Sequence, residues 1–418
     1  MFRHSLQLIW NRRRAEMLVV IEIALAFVAA FAVLSVFVTY WTNYRQPLGY
    51  QYDRIWNVGL RTGNNTGPNS GWDLEQAQLL RSALQVIRNL PRVEAAHVIR
   101  VTPFTDSRSN APYLWDGERL IPTAANAVTS GALPALGAKL IEGRWFDETN
   151  EGQSYRAAIV NRAYVAKAFG PGVNPLNKNI NQLLDHPPPG ASLDQLPPFF
   201  RREVRIVGVV DKLRASDLAE EIPLVVIQYE LEHAVENAIE HPRALFVKVA
   251  PGTTADFEQQ ISATLKSVAP YWGVEIVPWS TLREQMHSRV LTPFIIGAVL
   301  VSFVLLMVAL GLLGVVWQGV IRRTQEIGLR RAVGATARNV RLQVVVELIV
   351  TALFGIGIGA VIAVQLPLMK LIKPINWSSA PPGLVLAAAL ILVLVMLSAA
   401  YPGWIASRRE PADALRYE

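Results

Sequence analysis

The run Glu326-Ile327-Gly328-Leu329-Arg330-Arg331-Ala332-Val333-Gly334-Ala335-Thr336 holds the side chains with the most to offer, and what they offer is a grip and not a reaction. Glu326 and Arg330 stand at i,i+4 with the acid first, the favourable order for an ion pair on a helix. Leu329 and Val333 form a small apolar ridge at the same spacing. Gly334 is suited to end the helix. Covalent chemistry has no comparable candidate. The six His are scattered without an H-E-x-x-H pair, there is no cysteine, and no nucleophile–base constellation stands out. No G-x-x-x-x-G-K-[ST] occurs in the 418 residues, so nothing in them is built to cradle ATP phosphates. No catalytic residue, metal ligand or bound cofactor is assigned.

The flanks of that run decide where it lies. A membrane span needs about 20 mostly apolar residues, and four runs qualify: 17–40, 290–321, 342–369 and 381–407. Aromatics mark their ends, with Tyr40, Trp41 and Tyr44 after the first, Trp317 in the second, and Tyr401 and Trp404 in the fourth. The first run is too long for a cleaved signal peptide, and no small-residue cleavage site precedes its aromatics. Residues 322–341 therefore form a tight connection between two spans. Read alone, they are compatible with a basic juxtamembrane turn that merely fixes topology.

Charge sets the orientation. The chain is basic, net +7, but residues 43–289 hold 25 Lys/Arg against 26 Asp/Glu. The excess lies beside the apolar runs: Arg3, Arg12, Arg13 and Arg14 against Glu16, and six Arg against Glu326 in 321–341. That is the positive-inside pattern and not a phosphate-reading surface, so no nucleic-acid partner is expected. Both termini (1–16, with an amphipathic face of Leu6, Ile9 and Trp10, and 408–418) and the 322–341 segment are expected in the cytoplasm. Residues 41–289 are then expected outside, as one large domain between spans one and two.

Two carboxylates lie within spans, Glu22 and Glu347. Intramembrane charge is a functional candidate by default, but both lie near the cytoplasmic ends, where Arg14 or Arg341 is in reach. A structural role is favoured over a proton relay. Gly355-Ile356-Gly357-Ile358-Gly359 contains G-x-x-x-G, which lets helices approach closely. Gly311 and Gly314 carry the same reading, packing within the chain or in a dimer, with no permeation path implied; membrane lipids are expected around the spans.

The 41–289 region reads as mixed α+β. Two strand–helix–strand halves, 54–102 and 242–279, bracket an insertion, 103–241. Leu80, Leu84 and Ile87 give one helix its face, and Phe257, Ile261 and Leu265 the other. Thr254 is the expected N-cap of the second. In the insertion, 157–160 and 204–210 read as strands and 161–169 as a short helix. Thr281-x-x-Glu284 has the form of a capping box, opening a helix that would run unbroken into the second span past Pro293.

Three sets of residues together resemble the MacB/FtsX-type permeases of ABC transporters, the four-span mechanotransmission (type VII) class. The first is the 326–336 run. The second, in order, is Gly143-Arg144-Trp145-Phe146, Ala158-Ile159-Val160-Asn161, Ala168-Phe169-Gly170, Pro175-Leu176-Asn177-Lys178-Asn179-Ile180 and Val207-Gly208-Val209-Val210. The third is Glu410-Pro411-Ala412-Asp413-Ala414-Leu415-Arg416. The resemblance implies a polytopic α-helical membrane protein of four helices with a MacB-like periplasmic core domain between helices one and two. It implies an inner-membrane location and a coupling helix at Glu326, Ile327, Gly328, Leu329, Arg330, Arg331, Ala332, Val333 and Gly334, seated on a separate ATPase dimer that uses ATP and Mg. It also implies a dimer with a second permease copy or paralogue, and a periplasmic adaptor as a further partner. The chain departs from many relatives in having no fused nucleotide-binding domain, and in a Pro-rich loop at 186–198. Export or hand-over of a drug, peptide or lipid-like substrate is the expected role, with non-transporting activation of an envelope hydrolase as the alternative. A sensor receptor would need a cytoplasmic signalling domain that 408–418 does not supply.

Overall fold

The computed structural model describes residues 13–61, 74–106, 109–115, 120–185, 201–231, 242, 244–322, 329, 333, 336–369, 372 and 375–408. In chain order, helix α1 (Arg13–Tyr44) leads to strand β1 (Ile55–Arg61), α2 (Leu74–Arg88), β2 (Val93–Ile99), β3 (Asn110–Trp115) and β4 (Leu120–Val128). Then come α3 (Ala132–Ala135), β5 (Leu140–Gly143), β6 (Tyr155–Asn161), α4 (Arg162–Ala168), α5 (Gln182–Asp185), β7 (Glu203–Val210) and β8 (Leu224–Gln228). The path closes with β9 (Ala244–Val249), α6 (Asp256–Val268), β10 (Gly273–Pro278), α7 (Trp279–Arg322), α8 (Ala337–Leu368) and α9 (Ala380–Arg408). Two compact units result: 1–42 with 289–418, and 43–288.

Four helices are long and apolar enough to cross a membrane, with a mixed α/β domain between the first and the rest. At about 1.5 Å per residue, the 44 residues of α7 extend about 66 Å, twice the roughly 30 Å of a hydrocarbon core. Its first residues, Trp279 to Ser288, belong to the mixed domain. In the membrane unit α1 is the hub. Ile23, Phe27, Ala30 and Phe31 are buried with Val308 and Leu312 of α7, Ala352 and Ala363 of α8, and Ala387, Ile391 and Val395 of α9. Thr39, Ser302, Thr351 and Ser398 of these helices each donate a hydroxyl to the carbonyl four residues back.

In the mixed domain the described strands form one sheet in the order β10-β1-β9-β2-β4-β8-β6-β7-β5, with β3 on β4. The two strand–helix–strand halves interleave, since β9 inserts between β1 and β2 and β10 lies outside β1. This is the split β-α-β arrangement, which lets both amphipathic helices cover the same sheet face. Leu80, Leu84 and Ile87 of α2 and Phe257, Ile261 and Leu265 of α6 bury Val58, Leu60, Val98, Leu245 and Val247 there. Side chains alternate across a strand, so Ile55, Ile99 and Phe246 face the other core, with Ile159, Val226 and Trp279. The insertion 103–241 belongs to the same sheet in its described residues. Its strands continue the sheet, joined to β2 at the single register pair Ile99↔Val128.

Two caps differ from the sequence reading. Helix α6 starts after Ala255, which has helical φ and ψ and makes no side-chain cap, so Thr254 lies one residue too early and contributes its carbonyl to Phe257 N instead. Helix α7 begins at Trp279, which puts Thr281 inside the first turn and removes the capping box. The buried Trp279 indole anchors that helix end by packing on Tyr50 and Phe246, with ring centroids 6.0 and 5.8 Å away.

Candidate functional site

Of the proposed coupling residues, Leu329 and Val333 lie among the described ones. Val333 N donates to Leu329 O at 3.1 Å, one α-turn, and both side chains are exposed, at 59% and 84%. The two form an apolar pair at i,i+4 that the rest of the described chain leaves uncovered. Glu326, Ile327, Gly328, Arg330, Arg331, Ala332 and Gly334 lie outside the described residues, as do 1–12, the 186–198 loop and 410–416. Immediately after the ridge, Thr336 caps α8, its hydroxyl accepting from Asn339 N at 3.3 Å. The turn is therefore attached directly to a membrane helix.

The small residues of the spans fall into two groups. A methyl group at Gly355 would lie 2.7 Å from Ile23 Cγ2 and 3.0 Å from Val20 O, and one at Gly359 2.8 Å from Phe27 Cδ1 and 2.9 Å from Ala24 O. The G-x-x-x-G face of α8 thus packs on the backbone of α1. Gly311 of α7 faces the Glu22 carboxylate, 3.0 Å from where its Cβ would be. Gly314 has nothing comparable near it. Sequence reasoning missed Gly383 of α9, whose Cβ would fall 2.0 Å from Ser35 Oγ. The Pro-Pro-Gly start of that helix was its one available signal. Glu347 is half-buried on α8, and its carbonyl accepts from Thr351 Oγ1 at 3.1 Å.

The mixed domain contains a cluster that sequence reasoning also missed. The loop between β7 and β8 holds Arg214 and Asp217, both buried. Arg214 Nη1 donates to the carbonyls of Asn43 (2.9 Å) and Gln46 (3.0 Å), and its Nη2 to those of Asp217 (3.2 Å) and Ala219. Burial lowers the guanidinium pKa from its ordinary value, an effect countered by Asp217 and Glu221. The Asp217 carboxylate accepts from Arg283 Nε (2.8 Å) and Nη2 (2.6 Å), and from His287 Nε2 (2.8 Å). Arg283 also lies over the Tyr52 ring, 4.9 Å from its centroid. Asn43 Nδ2 closes the group by donating to Leu218 O at 3.1 Å. One loop thus holds the last residues of α1 and the first turns of α7. The i,i+4 spacing of Arg283 and His287 at the polar start of an apolar helix was the readable trace of it.

Glycines shape the far part of the sheet. Gly143 has φ +77°, and a Cβ there would lie 2.3 Å from Val207 O. It pairs with Gly208 where β5 meets β7, and β7 carries a register shift against β6 at the same place. On the opposite part, His97 is enclosed beside Phe246 and Thr129. Burial, reinforced by Arg88, pushes its pKa down from 6.5 to about 4. Its enclosure is that of a core histidine whose charged form is disfavoured. Among the described residues no group of three or more His, Asp or Glu is placed to hold a metal ion.

Residues 17–264 match the family model described as MacB-like periplasmic core domain, and 298–411 that described as FtsX-like permease C-terminal. A macrolide export ATP-binding/permease protein MacB from Shewanella sp. (strain ANA-3) is 22% identical over 85% of this chain and 53% of its own. One from Syntrophobacter fumaroxidans is 33% identical over 31% of this chain and 18% of its own. The solved periplasmic region of MacB from Actinobacillus actinomycetemcomitans overlays at 15% identity on 58% of this chain and 97% of its own, with a TM-score of 0.36. The chain spans at most about half the length of the curated relatives quoted.

Proposed function

Because the chain belongs to the MacB/FtsX-like permeases, we propose that it is the membrane subunit through which a separate ATPase dimer drives a periplasmic domain. In this reading both termini and 322–341 are cytoplasmic, the 43–288 domain is periplasmic, and two permease copies, identical or paralogous, work together. ATP and Mg are bound by the partner. Closure of the ATPase pushes on the ridge of Leu329 and Val333, and α7 and α8 carry the displacement. The domain then expels or hands over a drug, peptide or lipid-like substrate already outside the inner membrane.

The observation that carries this reading is the pairing of an exposed apolar ridge, in a turn between two membrane helices, with a single helix, α7, that extends far beyond one bilayer thickness into the mixed domain. The exposure of Leu329 and Val333 supports a contact made beyond this chain. The other three membrane helices pack around α1 and leave wide apolar flanks exposed, as lipid contact would require.

The experiment is purification of the chain from its native membranes in mild detergent, followed by Mg-ATP hydrolysis and identification of the co-purifying subunits. An ATPase subunit in stoichiometric amount is expected. The double variant Gly328→Asp with Leu329→Asp should lose that subunit, or its stimulation, while the mixed domain keeps its thermal midpoint. Recovery of an envelope hydrolase with no ATP-dependent substrate flux would turn the reading towards the regulatory class, and a complex with no ATPase would refute it.

A further inference from the structure

The two membrane-helix ends are wired to the sheet unevenly. Covalently, α1 leads to β1 and β10 leads without a break into α7, and β1 and β10 pair with each other from Trp56↔Pro278 to Arg61↔Gly273. Both chain connections therefore arrive at the same end of the sheet. The other end, β8-β6-β7-β5, joins this one through β4, whose ladder to β2 has the single pair Ile99↔Val128. Beside that pair the seam is held by side chains, Asn126 bonding Val101 N and O and Thr129 Oγ1 accepting from Val98 N, so fewer ladder bonds resist rotation there than between the other paired strands.

From this we propose that Asp217 is a positioning residue that ties the far half of the sheet to both helix ends, so that the whole domain follows when they move. The carboxylate lies in the β7–β8 loop, 5% exposed, and receives Arg283 and His287 of α7. Three residues earlier, Arg214 grips the Asn43 and Gln46 carbonyls at the end of α1. The backbone adds to the same junction. Arg214 N donates to Leu48 O at 3.0 Å, and Gly49, at φ +88°, lies so close that a Cβ would meet Lys212 O at 1.9 Å. Charge-assisted bonds of this kind, with the carboxylate withdrawn from water and its partners mostly covered, are the strong class. Covalent linkage moves β1 and β10, and the Asp217 junction moves β7 and β8 with them. The role deepens the permease reading and rests on it.

The test uses the full chain in lipid nanodiscs with its co-purified ATPase. It has no native cysteine, so Glu275→Cys on β10 and Val173→Cys beyond β6, both exposed, take spin labels cleanly. Without nucleotide, the parent should give one narrow inter-label distance, and Asp217→Asn a broadened one. Amide exchange at 211–221 and 282–288 should rise together by about tenfold or more, with β1 and β10 unchanged. His287→Gln, which keeps a donor, should change far less. Arg283→Gln, removing the opposite partner, repeats the measurement should Asp217→Asn not fold. With Mg-ATP, Asp217→Asn should hydrolyse at the parental rate while the distance broadens further. A junction that serves only stability would lower the thermal midpoint and leave the distance distribution narrow. A narrow distance and unchanged exchange in both variants overturn the proposal whatever the ATPase does. A parent complex in which ATP has no effect on any label overturns the permease reading and the coupling role together, even if the nucleotide-free arm shows the junction holding the two sheet halves.

Discussion

The membrane unit and the mixed domain use the same residue types for opposite ends. In the spans, glycine brings helices together: Gly355 and Gly359 let α8 approach the carbonyls of Val20 and Ala24. In the mixed domain, Gly143 instead admits a left-handed backbone where two strands cross. Charge divides in the same way. In the spans Glu22 lies beside a glycine that leaves room for it. In the domain, buried carboxylates are paired outright, Glu230 with Arg202 at 2.8 Å and Asp217 with Arg283. The difference follows from the surroundings. Lipid gives helices no hydrophobic reason to associate, so close packing must do it, whereas a domain in water can bury apolar faces and spend its polar groups on fixing geometry.

The largest effect that would break this contrast is at Gly143. Gly143→Val places a branched side chain at φ +77° against a backbone oxygen, and a loss above about 4 kcal/mol is expected. Thermal unfolding of the detergent-solubilised chain should show the domain transition gone and the helical signal of the spans retained. Gly355→Leu should cost about 1–3 kcal/mol by forcing α1 and α8 apart, read by helicity during titration with a denaturing detergent, with the domain transition untouched. If both substitutions moved the same transition, the two units would not be separable.

His97 sharpens the comparison through pH. Its folded pKa of about 4 lies below the ordinary 6.5, so in that interval the unfolded chain binds a proton the native state refuses. The His97 contribution to domain stability should be complete above pH 6.5, fall as pH drops from 6.5 to about 4, and change no further below that, a loss on the order of 3 kcal/mol. Denaturant midpoints at pH 7 and pH 5 should converge in His97→Gln. The smallest expected effect is Glu94→Gln, which breaks an exposed pair with Arg54 (2.7 Å) and should shift stability by under about 1 kcal/mol. A larger loss would mean that surface pairs matter here as much as buried ones.

What the sequence revealed tracks how local the physics is. The four spans and their mixed domain follow from unbroken apolar length, and α2 and α6 from apolar residues at helical spacing. The interleaving of the halves was not legible, because seating β9 between β1 and β2 is a pairing across some 150 residues that no local pattern records. Thr254 and Thr281 misled for a related reason: both fit a cap motif, but buried packing of Trp279 and the turn before α6 set the true starts. The Asp217 junction joins residues 66 and 70 positions apart, and only the Arg283–His287 spacing hinted at it. The ridge at Leu329 and Val333 was the reverse case, since its exposure follows from being a short apolar pair in a segment too basic for hydrocarbon.

The central claim, that 322–336 receives force on one face of the membrane and the mixed domain delivers it on the other, is tested most directly by paired single-cysteine labelling. Leu329→Cys and Tyr271→Cys, each in the cysteine-free chain, are treated with an impermeant maleimide from either side, and Leu329→Cys with a photo-crosslinking maleimide. Tyr271→Cys should react only from outside and Leu329→Cys only from inside, with the crosslink joining Leu329→Cys to an ATPase subunit and weakening when Mg-ATP is hydrolysed. Labelling of both positions from the same side, or a crosslink that captures no ATPase, would contradict the account.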